Sequence, residues 1–166
     1  MKYTHTVYLA LGSNLGDRLG NLQAALRLMP PAVRPLAQSP IYETSPWGYT
    51  DQPDFLNQVV QAETDLPPEK LLPYLKSIEA TLGRVPTFHY GPRLIDLDIL
   101  LYDDLVLQTP DLTIPHPRLA ERAFVLVPLA DLAPNLHHPT LRRTVRQLLR
   151  LIDLQGIRHY HPKQPG

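Results

Sequence analysis

Gly91-Pro92-Arg93-Leu94-Ile95-Asp96-Leu97-Asp98-Ile99-Leu100-Leu101 reads as a buried strand interrupted by two acids. In extended backbone, residues i and i+2 project from one face, so Asp96 and Asp98 stand side by side while Ile95, Leu97, Ile99 and Leu101 fill the other face. Like charges in an apolar setting repel and cost stability unless a cation sits between them. A hard divalent ion with oxygen ligands answers that need, most naturally Mg2+ shared with substrate phosphates. The motif therefore points to metal-dependent phosphoryl chemistry. D-x-D by itself leaves open a strand whose acid face is merely solvated.

On the N-terminal side of this strand, Thr6 to Leu11 alternates as a strand, and Gly12-Ser13-Asn14-Leu15-Gly16-Asp17 turns into a helix with the stripe Leu19, Leu22, Ala25 or Leu26, and Met29. Ile41 to Thr44 and Phe55 to Glu63 read as strands on either side of a proline-bracketed loop, a natural place for function. Pro67-Pro68-Glu69 opens a helix with the stripe Leu71, Leu75, Ile78 and Leu82, and Gly83 ends it. Glu79 falls at the edge of that stripe and reads either as an ordinary helix-edge acid or as a group reaching the cleft. On the C-terminal side, the acidic strand ends at Tyr102, and Asp103-Asp104 is expected to turn it into a hairpin with Leu105 to Leu107. Pro115-His116-Pro117-Arg118 opens a short helical stretch, Phe124 to Val127 is apolar, Thr140 or Thr144 caps a helix through Leu151, and Ile157 to His161 is a last strand. Helices and strands interleave without a regular βαβ rhythm, so the expected fold is an α+β sandwich with a mainly antiparallel sheet.

The chain of 166 residues fits one domain, with the last few residues as a loose tail. Sixteen basic and sixteen acidic residues cancel, so no global field draws nucleic acid or an acidic membrane, and any anion site must be local. With no cysteine, disulfides and thiolate chemistry are excluded. The first residues lack an apolar signal core and no run approaches the length of a bilayer span, so a soluble, cytoplasmic protein is expected. Proline is abundant, 19 of 166, and its scatter between elements marks stiff loops instead of disorder.

Several side chains are candidates for phosphate contact: Arg84, Arg93, Arg122 and His116, all near element ends. Each taken singly also reads as a solvated surface group. Gly12 to Gly16 has the look of a backbone phosphate cradle but lacks the lysine and glycine spacing of the known loops, so a turn with a helix cap is the default. Trp47, Tyr49, Phe55 and Phe124 could sandwich a flat heterocycle whose amide edge Asn57 would read. Arg142, Arg143, Arg146 and Arg150 form a basic face on the C-terminal helix, read as solvated.

Taken together, these segments resemble the 6-hydroxymethyl-7,8-dihydropterin pyrophosphokinase family from about Val7 to the C-terminal helix. The most specific block is Gly91 to Leu100. Leu11 to Gly16, Tyr42 to Pro46, Asp51 to Asn57, Glu79 with Gly83 to Val85, and Ile114 to His116 support it. The resemblance implies a ferredoxin-like α/β sandwich and, as a step of folate biosynthesis, transfer of the β,γ-diphosphate of ATP to the pterin hydroxymethyl group, giving the pterin diphosphate and AMP. By that resemblance, Asp96 and Asp98 hold two Mg2+ ions, with Asp98 the proton acceptor. Arg84 and Arg93 bind the triphosphate and steady its developing charge, while His116 and Arg122 clamp phosphate oxygens. Adenine rests near the backbone of Ile99 and Thr113. Thr44, Ser45 and Asn57 bond the pterin edge; Trp47, Phe55 and Phe124 wall it; and Tyr90 stands where the family often has a tryptophan. The family also implies a monomer whose partners are the two small substrates. Residues 85–90 are one shorter than the pattern and lack its basic pair, so loop closure is expected to differ. Fused aldolase or synthase domains would not fit within 166 residues. Two competing readings remain at this point: a binding module with a structural ion, and a Mg2+-dependent phosphohydrolase.

Overall fold

The computed structural model describes residues 5–46, 51–83 and 93–161. At its centre lies β1 (His5–Ser13), antiparallel to β4 (Phe55–Thr64) on one side and β5 (Asp96–Tyr102) on the other. Beyond β4 come β2 (Val33–Gln38) and β3 (Tyr42–Thr44), which pair with opposite halves of it, and the short β8 (Ile157–His159) adds to β3. Helices α1 (Arg18–Leu28) and α2 (Pro68–Thr81) complete the order β1-α1-β2-β4-α2-β5, with β5, β1, β4 and β2 adjacent in that sequence. This is the ferredoxin-like arrangement.

The sheet is covered on both faces, which explains why the central strands are apolar on both sides. Val7, Leu9 and Leu11 face one core, where Leu22, Ala25 and Met29 of α1 meet Leu71, Leu75 and Ile78 of α2. Tyr8 and Val59 face a second core made by Leu119 of a 3₁₀ turn (Leu119–Glu121), by α3 (Ala123–Leu132) and by α4 (Val145–Leu149). The segment read only as apolar, Phe124 to Val127, is thus the first half of a helix.

Three expectations change and one strand is added. Ile95, Leu97 and Ile99 are buried together in the first core, but Leu101 joins Leu100 in the second. The cause is a bulge: Leu9 pairs with Ile99 and Tyr8 with Leu101, so the extra residue reverses the alternation. The turn at Asp103, with φ 48, closes through Leu105 N–H to the Tyr102 carbonyl at 3.0 Å but makes no hairpin with β5. Instead β6 (Leu107–Gln108) pairs with β7 (Thr113–Ile114) as a separate ribbon. Strand β2 has no counterpart in the sequence reading because Pro35 interrupts it. An edge position and a bulge between Pro35 and Ala37 accommodate the missing donor. Finally, Thr144 is the cap of α4, its side chain receiving Gln147 N–H while Gln147 receives its own. Arg142 and Arg143 therefore precede the helix, and the four arginines are exposed without sharing one helical face.

Candidate active site

Antiparallel pairing brings the ends of β1 and β3 to the starts of β4 and β5. There Gly12 stands between Asn57 and Asp96 in one cross-strand row, and Ala10 between Val59 and Asp98 in the next. Both carboxylates therefore lie on one sheet face, on the side of the second core. The central strand carries only a hydrogen and a methyl at these two positions. With no bulk there, the second core opens at this end into a cleft of about 280 Å³. Gly12 is needed for this closeness, since a Cβ on it would meet Asn57 Oδ1 at 3.1 Å. Ala10 is thus a site residue that the sequence did not mark, and Gly12, read there as part of a turn, lines the cleft from the end of the central strand; small residues in such a strand are the available signal.

The floor of the cleft holds Asp96, Asp98 and Leu100; one wall holds Thr44, Ser45, Phe55 and Asn57; and the other is made by Arg93, His116, Arg122 and Phe124. Ten of the candidate residues thus meet in one cavity. Ile99 is buried in the first core, with its side chain on the opposite sheet face. Thr113 stands on β7, outside this cleft. Beside that ribbon, a second cavity of about 650 Å³ lies against α2, with Leu72, Lys76, Leu107 and Leu112 in its wall. Arg84, Trp47 and Tyr90 lie outside the described residues.

Local bonds orient these groups. Asn57 donates through Nδ2 to Thr44 Oγ1 at 2.6 Å, both side chains being buried, so the Asn57 amide is fixed with its oxygen toward Gly12. Arg93 Nε approaches Asp96 Oδ2 at 3.7 Å. His116 donates its backbone N–H to the Leu100 carbonyl at 2.9 Å, and its Nδ1 accepts from Arg118 N–H at 3.1 Å. The neutral ring therefore carries its proton on Nε2. Burial pushes the His116 pKa below its ordinary value; Arg122 and Arg118 act in the same direction and Asp98 opposes them. The Arg122 guanidinium sits 5.4 Å from the centre of the Phe124 ring, a cation–π distance.

Glu79 corrects the reading of an ordinary helix-edge acid. Only 2% exposed, it accepts Leu97 N–H through Oε2 at 2.8 Å. Because β5 is an edge of the sheet, this carboxylate stands where a neighbouring strand would, and it holds the peptide between the two aspartates. The i, i+4, i+8 spacing of Leu71, Leu75 and Glu79 was the signal for its burial.

Two carboxylates on one face would suit a hard divalent ion such as Mg2+ that draws its remaining oxygen ligands from outside the chain. Among the described residues no cluster of three or more acidic, His or Cys side chains offers a closed metal cage.

The fold and this cleft define an α+β domain with two carboxylates on the floor of a cleft whose walls carry both polar and aromatic side chains. Residues 8–134 match the model of the 7,8-dihydro-6-hydroxymethylpterin-pyrophosphokinase (HPPK) family, and the chain belongs to that family. It is 46% identical over 152 residues to the 2-amino-4-hydroxy-6-hydroxymethyldihydropteridine pyrophosphokinase of Methylorubrum extorquens, covering 90% of this chain and 95% of that one. The Aquifex aeolicus protein of the same name is 42% identical, with 86% and 89% covered. The folic acid synthesis protein FOL1 of Dictyostelium discoideum is 44% identical over 96% of this chain, which spans only 24% of that longer protein. Among solved structures, a Plasmodium falciparum HPPK-DHPS matches with TM-score 0.73 at 19% identity over 90% of this chain and 46% of its own, a likeness of fold. No helix among the described residues is long and apolar enough to cross a membrane.

Proposed function

We propose that this chain transfers the β,γ-diphosphate of ATP to the hydroxymethyl oxygen of 6-hydroxymethyl-7,8-dihydropterin, releasing AMP, as a step of folate biosynthesis. The observation that carries this reading is the meeting, in one cleft, of the Asp96–Asp98 pair with the Thr44–Asn57 edge. Their shared Gly12 row sets the two sides about 10 Å apart, two strand spacings, which suits a nucleotide phosphate and a ring lying side by side. It also supports reading residues 1–166 as one pyrophosphokinase domain, since both cores share one sheet.

Asp96 and Asp98 would hold two Mg2+ ions, which supply charge neutralisation on the triphosphate and an acidified substrate hydroxyl. Asp98 accepts the proton that this hydroxyl loses. Arg93 exchanges its contact with Asp96 for phosphate oxygens and steadies charge that builds at the β-phosphorus, and Arg84 shares this task by family resemblance. His116 donates from Nε2 to a phosphate oxygen, since its Nδ1 is taken up by Arg118 N–H. Arg122 clamps a second oxygen from above Phe124. On the other side, Asn57, Thr44 and Ser45 bond the pterin's amide edge, and Phe55 and Phe124 wall its faces, a role that family resemblance alone extends to Trp47 and Tyr90. Adenine lies against the backbone near Ile99 and Thr113; the second cavity, whose wall includes Leu112, offers an apolar seat beside that stretch.

Incubation with ATP, Mg2+ and 6-hydroxymethyl-7,8-dihydropterin, followed by nucleotide separation, tests the reading. AMP formed only with pterin supports it. Inorganic phosphate released from ATP without pterin, or metal-dependent melting without AMP, refutes it.

A further inference from the structure

Asn14, next after β1, is 1% exposed and belongs to neither wall of the cleft. Its backbone N–H donates to the Arg93 carbonyl at 2.9 Å, and its side-chain Oδ1 accepts Arg93 N–H at 2.7 Å. These two bonds extend the β1–β5 ladder one step past the Gly12–Asp96 pair, so they fix the backbone of Arg93 just ahead of the aspartates. The same amide turns its Nδ2 the other way, donating to Gln52 Oε1 at 2.8 Å and to the Pro53 carbonyl at 3.0 Å. Those residues lead into Phe55 and Asn57. Asn21 steadies this junction, its Nδ2 lying 2.9 Å from the Leu15 carbonyl and 3.1 Å from that of Leu94.

We propose that Asn14 is a positioning residue for the transfer, its buried amide setting the distance between the ring-binding wall and the phosphate-binding wall. This rests on the function proposed above. A planar amide is suited to the task because its oxygen and its two N–H groups point in opposite directions with fixed spacing. Each wall has its own ligand contacts, so separating the walls leaves each substrate its individual site. What suffers is the alignment of the hydroxymethyl oxygen with the β-phosphorus, and misplacement by about 1 Å costs on the order of 10²-fold in rate.

Asn14→Asp is the informative variant, because it retains an acceptor for Arg93 N–H and replaces the donor to Pro53 with a repelling oxygen. The measurements are the single-turnover rate of AMP formation and the separate affinities for the pterin and for a Mg2+-loaded non-hydrolysable ATP analogue. The expected result is a rate lower by about 10²-fold with each separate affinity within about threefold of wild type. A rate within threefold of wild type overturns the proposal, as does a rate loss matched by an equal loss of either affinity. If this variant fails to fold, Gln52→Ala decides: it removes one of the two bonds that Asn14 Nδ2 makes to this segment and leaves the one to the Pro53 carbonyl, a fall of about 10-fold is expected, and an unchanged rate overturns the proposal. Wild-type protein runs first. If it makes no pterin-dependent AMP, the function itself is refuted, whereas an active wild type beside an equally active Asn14→Asp refutes only the role of Asn14.

Discussion

Replacing Glu79 by alanine withdraws the carboxylate through which α2 accepts Leu97 N–H at the edge of β5. Leu97 N–H, between two buried residues, then lacks its acceptor, and an unmade bond of this kind costs about 1–3 kcal/mol. Loss of the buried side-chain stem adds about 0.8 kcal/mol for its terminal CH₂. The ion pair with Lys76, at 3.3 Å, contributes little, because the lysine side chain is 50% exposed. A net loss of about 3 kcal/mol lowers the melting temperature of a chain this size by roughly 6–12 °C. Glu79→Gln separates charge from hydrogen bonding: its carbonyl oxygen still accepts Leu97 N–H, so its stability loss should stay under about 1 kcal/mol. Urea unfolding gives both values, and kcat measured on the folded fraction should drop more in Glu79→Ala, since the freed peptide carries Asp96 and Asp98 on either side. Equal stability of wild type and Glu79→Ala would refute the reasoning, because a buried carboxylate whose removal costs nothing is not holding the strand.

Asp98→Asn is expected to lower turnover by about 10³-fold or more while the melting temperature stays at or above that of wild type, because one of two neighbouring charges is gone; an active variant refutes its metal and proton role. Gly12→Ala should raise the KM for pterin by about 10-fold and leave the KM for ATP unchanged, since the new methyl crowds Asn57 Oδ1 alone; steady-state kinetics with each substrate varied checks this. His138 is buried, and its Nδ1 accepts Thr140 N–H at 3.2 Å and Leu141 N–H at 3.1 Å, so burial lowers its pKa in the folded state. The unfolded chain then binds more protons, so His138 contributes stability in full above about pH 6.5 and loses it as pH falls toward the folded pKa. Between pH 7 and 5 the wild type should therefore lose more stability than His138→Asn, which keeps an acceptor without titrating; parallel pH profiles would contradict this.

The alternation of acids and aliphatics at Ile95 to Ile99 is a local pattern of period two, and it placed both carboxylates on one face without any knowledge of neighbouring strands. Apolar stripes and the prolines and glycine at their ends likewise marked α1 and α2. Where the reading went astray, a partner distant in sequence decided. Leu101 reverses its face because of a bulge against Tyr8, the ribbon after Asp104 pairs with Thr113–Ile114 instead of β5, and β2 forms despite Pro35 because β4 lies beside it. Glu79 shows the same thing for charge: its burial makes sense only once the edge of β5 lies against α2. The sequence by itself determined which residue types were available and, wherever no bulge intervenes as it does before Leu101, on which face of each element they stand, since φ/ψ preference and side-chain period are local. Only the tertiary structure decided that Gly12 and Ala10 leave a cleft and that Asn14 bonds to both sides of it, because spacing across strands is set by pairing between segments far apart in the chain, as with Asn14 and Arg93.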